Sequence, residues 1–224
     1  MGLYLLDSTA NANTLTVSTN VTESLSTASV PANIAAANLA NSAVLTAPDS
    51  DSLSITGDLT IEAWIYLNNT NGDRVITNKY GAAGNRAFQF YIDAAESFTW
   101  QSGSDGTNLV TKSEASGISL ETWAHVAAVY IAAAGSIKFL LNGTQVGSTQ
   151  TGLDTSLFDS TAAVGANTDA TSSFIIDESR VWNVARTPTQ INDNKALRID
   201  PTTAGLKAYW QFDPSGSGLM NKYW

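Results

Sequence analysis

The sequence predicts an all-β fold, a two-sheet antiparallel sandwich with one short C-terminal helix. Three observations carry this. Short apolar or alternating segments recur from Leu39 onward, separated by Gly, Asn and Asp clusters at Asn68–Gly72, Gly81–Asn85 and Ser102–Asn108. An Asn-Gly pair, Asn142-Gly143, sits between two such segments. Strong helix signals occur in one place, Thr187-Pro188-Thr189-Gln190.

The first 40 residues are rich in Ser, Thr, Asn and Ala. Leu3–Leu6 reads as a strand, Leu15 and Val17 mark a short one, and residues 18–37 read as either an ordered loop or a disordered lead-in. In Thr60–Leu67, Ile61, Ala63, Ile65 and Leu67 face one way; Thr60, Glu62, Trp64 and Tyr66 face the other. Arg74–Lys79, Ala87–Ile92 and Phe98–Gln101 follow as short strands. Trp123–Ile131 is a long strand with apolar residues at both parities, which requires burial on both faces. Ile137–Leu141 and Thr144–Ser148 flank Asn142-Gly143, the pair that supplies the two positive φ angles of a type I′ turn. Ala162–Gly165 and Phe174–Trp182 are further strands. Thr187 and Gln190 form a capping box with Pro188 at the first helical position, starting a helix that runs to about Leu197. About ten to fourteen strands in one domain result. That domain spans residues 1–213, with 1–38 as a leading strand and loop packed on it. Residues 214–224 form a tail or the start of a following unit. Gly2–Ser8 echoes Gly205–Ser215, so the two ends are expected side by side in one sheet, or the chain is one unit of an array.

Composition narrows the chemistry. The chain has no Cys and one His, so it holds no disulfide, thiolate metal site, cysteine nucleophile or multi-histidine centre. Its net charge of −9 is the wrong field for nucleic acid. No segment reads as a membrane span, and the N-terminus, interrupted by Asp7, does not read as a signal peptide. Met1 is read as either the natural start of a cytoplasmically made protein or the start of a piece of something longer. Gly-x-Ser-x-Gly and phosphate-loop motifs are absent. His125 shares a strand face with Trp123, Ala127 and Val129 and reads as a buried structural residue, with Asp177 as its candidate partner.

Five segments, in order, resemble the LamG-like jelly-roll domains of the concanavalin A-like lectin/glucanase superfamily. They are Leu6–Asn13, Pro48–Ile65, Trp123–Tyr130, Phe139–Gly143, and Ile176–Asn183 with the capped helix. The likeness covers about residues 3–213 and implies a concanavalin A-like jelly roll. Two departures stand out. Ala124 replaces the first of two histidines, and Ala10 and Ala12 stand where the family's opening loop carries glycines. Glucanases of this superfamily carry Glu-x-Asp-x-x-Glu, two carboxylates that flank one glycosidic bond. No Glu here has Asp two positions later, so the chain is read as not an enzyme. Trp64, Trp123 and Trp182 lie within the family's fold motifs and are read as core.

A binding face is the favoured reading. Sugars are held by aromatic platforms and by planar amides and carboxylates. The candidate ligand-binding residues are Asn78, Tyr80, Arg86, Gln89, Tyr91, Trp100 and Asp105, with Gln101 nearby. Tyr91 and Gln89 share a strand face through their two-residue spacing. The resemblance also implies a structural Ca²⁺ near the termini, for which Asp7, Asn11, Asn13 and Asp177 are the candidate ligands. Asp49, Asp51 and Asp58 form a second acidic cluster, with turn chemistry as the competing explanation. The expected function is non-catalytic recognition or adhesion with a glycan or other surface ligand as partner, displayed on a virion, cell surface or secreted protein. The alternative is a structural virion protein, a phage capsid decoration or tail fibre that contacts other subunits. A divergent polysaccharide-acting enzyme comes third. Neither nucleic acid nor membrane insertion is expected.

Overall fold

The computed structural model describes residues 6–17, 21–24, 35–39, 43–167 and 172–213. Most of the expected Leu3–Leu6 strand and residues 214–224 lie outside these. Among the described residues the strands are β1 (Thr16–Val17), β2 (Val21–Ser24), β3 (Ala36–Leu39), β4 (Leu45–Ala47), β5 (Leu59–Leu67), β6 (Arg74–Tyr80), β7 (Arg86–Ile92), β8 (Ser97–Ser102), β9 (Val110–Ala115), β10 (Trp123–Ile131), β11 (Ser136–Leu141), β12 (Thr144–Thr151), β13 (Val164–Ala166), β14 (Phe174–Trp182) and β15 (Leu206–Trp210). One helix, α1 (Pro188–Asn194), accompanies them. They form two antiparallel sheets. The seven-stranded sheet has the order β1-β4-β13-β6-β7-β8-β9; the eight-stranded sheet runs β12-β11-β10-β5-β14-β3-β2, with β15 also on β14.

The core lies between the sheets and is built by residues at alternate positions. Ile61, Ile65, Ile76, Phe88, Phe90, Phe98, Trp100, Val126, Tyr130, Phe139 and Phe174 are all buried in it. Phe90, Phe98 and Phe139 pack across it with ring centroids 5.8 to 6.1 Å apart. Each such side chain stabilises the sandwich by about 2–3 kcal/mol through burial.

β10 is covered on both faces, as its apolar parity requires. Ala124, Val126, Ala128 and Tyr130 face the core, while Ala127 and Val129 pack with Leu140 and with Ile191 of α1. The β11–β12 hairpin has Leu141 opposite Thr144, with φ 52° at Asn142 and 84° at Gly143. The Asn142 Oδ1 accepts from the His125 amide at 2.9 Å, tying the turn to β10. Both halves of the Thr187–Gln190 capping box are present. The helix ends at Asn194, short of Leu197: the Leu197 amide bonds the Asn194 carbonyl only three residues back, at 3.0 Å. The Lys195 carbonyl accepts from Trp64 Nε1 at 2.7 Å, and the Leu197 carbonyl from Arg180 at 2.7 Å.

β2, β3, β4 and β9 are additions to the sequence reading. β3 presents buried alanines, β4 has only three residues, and β9 alternates between half-buried and exposed, so none shows a long apolar stripe.

The first and last described segments meet. The Ser8 amide donates to the Tyr209 carbonyl at 2.9 Å. Asp7 organises the junction. Its Oδ1 accepts from the Thr9 and Tyr209 amides, both at 2.9 Å, and its Oδ2 from Thr9 Oγ1 at 2.8 Å and the Asn13 amide at 3.0 Å. The side-chain Nδ2 groups of Asn11 and Asn13 both donate to the Lys207 carbonyl, at 2.8 and 2.9 Å. Ala12, where the family carries glycine, still adopts the left-handed conformation with φ 56°.

Two substitutions bracket this junction. Asp7→Ala leaves buried amides without an acceptor and is expected to cost ~2–4 kcal/mol in urea unfolding. Ala12→Gly relieves a left-handed alanine and is expected to add ~0.5–1 kcal/mol. The same urea titrations check both.

Candidate binding face

Antiparallel register places residues directly opposite each other on one face. On the outward face of the seven-stranded sheet this builds one row. Thr16 lies opposite Thr46, Thr46 opposite Gly165, Gly165 opposite Asn78, Asn78 opposite Gln89, Gln89 opposite Gln101, and Gln101 opposite Thr111. Each of the seven strands contributes one member. The Thr16 and Thr46 hydroxyls lie 3.0 Å apart, and Asn78 Nδ2 donates to Gln89 Oε1 at 3.5 Å. Gly165 notches the row: a Cβ there would sit 3.0 Å from the Leu45 carbonyl and 3.4 Å from Asn78 Oδ1.

The row has an aromatic border on either side. A bulge between Lys79 and Tyr80 keeps Tyr80 opposite Arg86 on this face, and the Arg86 guanidinium lies 4.9 Å from the Tyr80 ring centroid. Tyr91, opposite Val75 and Thr99, forms the other border. Burial pushes its phenol up to about 12, with Asp73 and Asp93 adding to the shift, so it remains a neutral donor at physiological pH. Of the seven residues expected to bind ligand, five therefore share this face: Asn78, Tyr80, Arg86, Gln89 and Tyr91. Asp105 lies in the β8–β9 loop at one end, where the Gly106 carbonyl accepts from the Gly84 and Arg86 amides. Its carboxylate closes that loop by accepting from the Thr107 and Asn108 amides, both at 2.8 Å, which holds it below the usual carboxylate range.

Trp100 corrects the sequence reading. It is fully buried, stacked on Phe88 at 5.7 Å and Tyr130 at 6.0 Å, with its Nε1 donating to Ser102. The parity of β8 explains this, since Phe98, Trp100 and Ser102 face inward while Thr99 and Gln101 face out. Thr16, Thr46, Thr111 and the Gly165 notch were missed. Their signal, single polar residues within very short strands, appears only once the register is known.

The expected calcium ligands do not fit the ion. Both Asp7 oxygens already accept two protein donors each, and Asn11 and Asn13 turn their NH₂ groups toward the Lys207 carbonyl. Asp177 is buried in β14 and accepts from the Glu178 amide at 2.9 Å. Among the described residues, no three His, Asp or Glu side chains form a metal-holding group. In the second acidic cluster, Asp49 pairs with Lys79 at 2.7 Å and Asp58 accepts from the Ala132 amide at 2.8 Å.

The outer face of the eight-stranded sheet holds a buried charge cluster. Glu62 is fully buried. Its Oε1 accepts from Arg186 at 2.5 Å and from Trp182 Nε1 at 2.8 Å, and Arg180 lies 3.9 Å away. Arg180 also pairs with Glu178 at 3.0 Å, and the Tyr209 hydroxyl donates to Glu178. Two carboxylates thus meet two guanidiniums. His125 lies over this cluster with its Nε2 3.6 Å from Glu62 Oε2, beyond hydrogen-bond reach; Asp177 is not its partner. Burial and the charges of Arg180, Lys195 and Arg186 hold it well below the usual imidazole range. Trp64 and Trp182 are buried in this layer under the α1 segment rather than between the sheets. Trp123 is only half-buried, tilted against Tyr66 at 5.8 Å.

Two measurements test these assignments. Removing calcium with EDTA and restoring it is expected to leave the melting temperature unchanged. His125 is neutral in the folded chain, whereas in the unfolded chain it binds a proton below about pH 6.5. The unfolded state then binds more protons, so stability falls as pH drops below that value. His125→Gln is expected to remove that part of the acid-side loss, read as the pH dependence of urea unfolding for the two chains.

Comparison with known proteins places this architecture. Among solved structures, the binding domain of botulinum neurotoxin serotype G matches with a TM-score of 0.66 at 14% identity, over 85% of this chain and 49% of that one. A botulinum neurotoxin type C structure matches with 0.66 at 13% identity, over 85% and 47%. A Bacteroides ovatus protein matches with 0.65 at 21% identity, over 80% and 52%. The chain spans about half the length of these structures, and the likeness is one of fold. No curated protein matches by sequence. The Laminin_G_3 model, described as concanavalin A-like lectin/glucanases superfamily, matches residues 39–192, which is well over half of the chain. The protein is therefore a jelly-roll member of the Laminin_G_3 family in the concanavalin A-like lectin/glucanase superfamily.

Proposed function

We propose that this domain recognises carbohydrate, without catalysis, through the outward face of its seven-stranded sheet. The observation that carries the proposal is the polar row from Thr16 to Thr111, bordered by the Tyr80–Arg86 pair and by Tyr91. Amides and hydroxyls in register offer paired donors and acceptors to sugar hydroxyls, and the aromatic borders suit sugar C–H faces. The fold neighbours support the reading. The Bacteroides ovatus structure is titled a "putative carbohydrate binding protein", and the type C toxin structure describes cell entry dependent on two ganglioside molecules.

The same face argues against hydrolysis. Glycosidases need two carboxylates flanking one bond, and the row carries none. Glu62 is sealed away and bonded to Arg186. Among the described residues no helix is long and apolar enough to cross a membrane. The module would meet its glycan when displayed on a cell surface, a secreted protein or a virion.

A glycan array probed with the full chain is expected to show binding. Tyr80→Ala and Gln89→Ala, at half-buried outward positions, are each expected to weaken it ~10-fold, about 1.4 kcal/mol, with unchanged melting temperature. A silent array, or full binding by the double variant, would refute this reading.

A further inference from the structure

A polar concavity is lined by residues none of which belongs to the row. It is a cleft of about 270 Å³ lined by Asp51, Ser52, Ser54, Asp58, Asn183 and Lys207. Its walls come from the loop between β4 and β5, the residue after β14, and β15. Each wall is pinned from behind. Lys79 Nζ donates to the Leu53 carbonyl at 3.1 Å, and the Leu157 amide donates to the Thr56 carbonyl at 2.8 Å. The Asn183 amide donates to the Gly205 carbonyl at 2.9 Å, and the Lys207 carbonyl is held by Asn11 and Asn13.

The side-chain ends in front are uncommitted. Among the described residues, the Asp51 carboxylate, the Lys207 ammonium and the Asn183 side-chain amide have no hydrogen-bond or ion-pair partner, and Asp58 commits one oxygen to the Ala132 amide. Opposite charges line one cleft, yet no ion pair closes between them. Flexible charged ends on the open surface would gain little by pairing. Here the backbone that carries them is fixed, so groups of both signs stay available to a third party.

We infer that this cleft binds a single sugar ring through a pair of adjacent hydroxyls. One hydroxyl donates to an aspartate and its neighbour accepts from Lys207, with Asn183 able to do either. Two aspartates against one lysine disfavour an anion, and the ammonium disfavours a metal ion. The volume falls just below the ~300 Å³ at which drug-sized pockets begin, which suits one ring rather than a chain. This inference rests on the carbohydrate reading above and adds a separate contact to it.

The test is a titration of the ¹⁵N-labelled full chain with the methyl pyranosides of glucose, galactose, mannose and fucose, each to ~10 mM, where millimolar contacts register. At least one is expected to shift amides over 51–58, 183 and 207. Lys207→Met, which keeps the carbonyl held by Asn11 and Asn13, and Asp51→Asn are each expected to reduce those shifts at least tenfold at a given concentration. Gln89→Ala is expected to leave them unchanged. Shifts confined to residues 78–91 overturn the cleft and leave the sheet-face reading standing. Shifts in the cleft that survive both cleft variants also overturn it. Cleft shifts with a silent glycan array keep the cleft and remove the sheet face; no shifts anywhere remove the cleft.

Discussion

A carboxylate with no exposed surface has to be neutralised by its neighbours, because its desolvation costs several kcal/mol. Glu62, in the middle of β5, sets that requirement for the outer face of the eight-stranded sheet. Arg186 answers it from the segment after β14 through Nη1, while its Nη2 donates to the Gln190 carbonyl at 3.2 Å and Asn194 Oδ1 at 2.6 Å. Arg180 answers it from β14 and reaches the carbonyls of Asn194 and Leu197 at 3.2 and 2.7 Å. The guanidiniums that neutralise the carboxylate thereby also bind carbonyls in and just after α1. The charge cluster and the covering helix therefore stand or fall together. With α1 fixed there, β10 is covered on both faces, and apart from His125 over the charge cluster its buried residues are apolar.

The second carboxylate, Glu178, sits where β14 changes partners. β14 pairs with β3 over Phe174–Ile176 and with β15 over Ser179–Trp182, and the register against β5 shifts between Asp177 and Arg180. Glu178 itself has φ 50°, the signature of a bulge. Burial pushes its carboxyl up, against the pull of Arg180 and Tyr209. The extra residue brings Arg180 opposite Glu62, and the partner change gives β15 its place. β15 in turn supplies the Lys207 carbonyl and Tyr209 amide that the Asp7 loop grips. One bulge thus links the buried charges to the junction of the first and last described segments.

Legibility in the sequence followed the range of the interactions. Trp123–Ile131, Asn142-Gly143 and Thr187–Gln190 were readable because each depends on neighbours a few residues away. β3 was not, since Ala36 and Ala37 are buried for their small size and carry no stripe. Five of seven expected ligand residues share one face because two-residue parity holds within a strand. Trp100 failed by the same parity, its size outweighing its position one residue from Gln101. The choice of Asp177 for His125 failed because both lie opposite Trp64, on either side of β5, and because Glu62, beside His125, belongs to a network drawn from distant parts of the chain. Asp7 was picked as a calcium ligand from its oxygen-rich loop, and it instead organises the junction through hydrogen bonds. Its four donors are backbone amides and a hydroxyl, and a count of oxygen-bearing residues cannot distinguish that role from metal binding.

The two sheets differ in what their outer faces can vary. On the eight-stranded sheet, outward Glu62, Trp64, His125, Arg180 and Trp182 are each tied to the α1 segment or to one another, so a change at one disturbs the rest. On the seven-stranded sheet, inward Ile76, Phe88, Phe90 and Trp100 hold the sandwich together. Their outward neighbours Gln89, Gln101 and Thr111 pack nothing in the core and remain partly or wholly exposed. Substitution there costs little stability, as at surface positions generally. That division lets the scaffold keep its fold while the residues on its open face change. The outward side chains of the open sheet are where the sequence is freest of the packing that fixes everything beneath it.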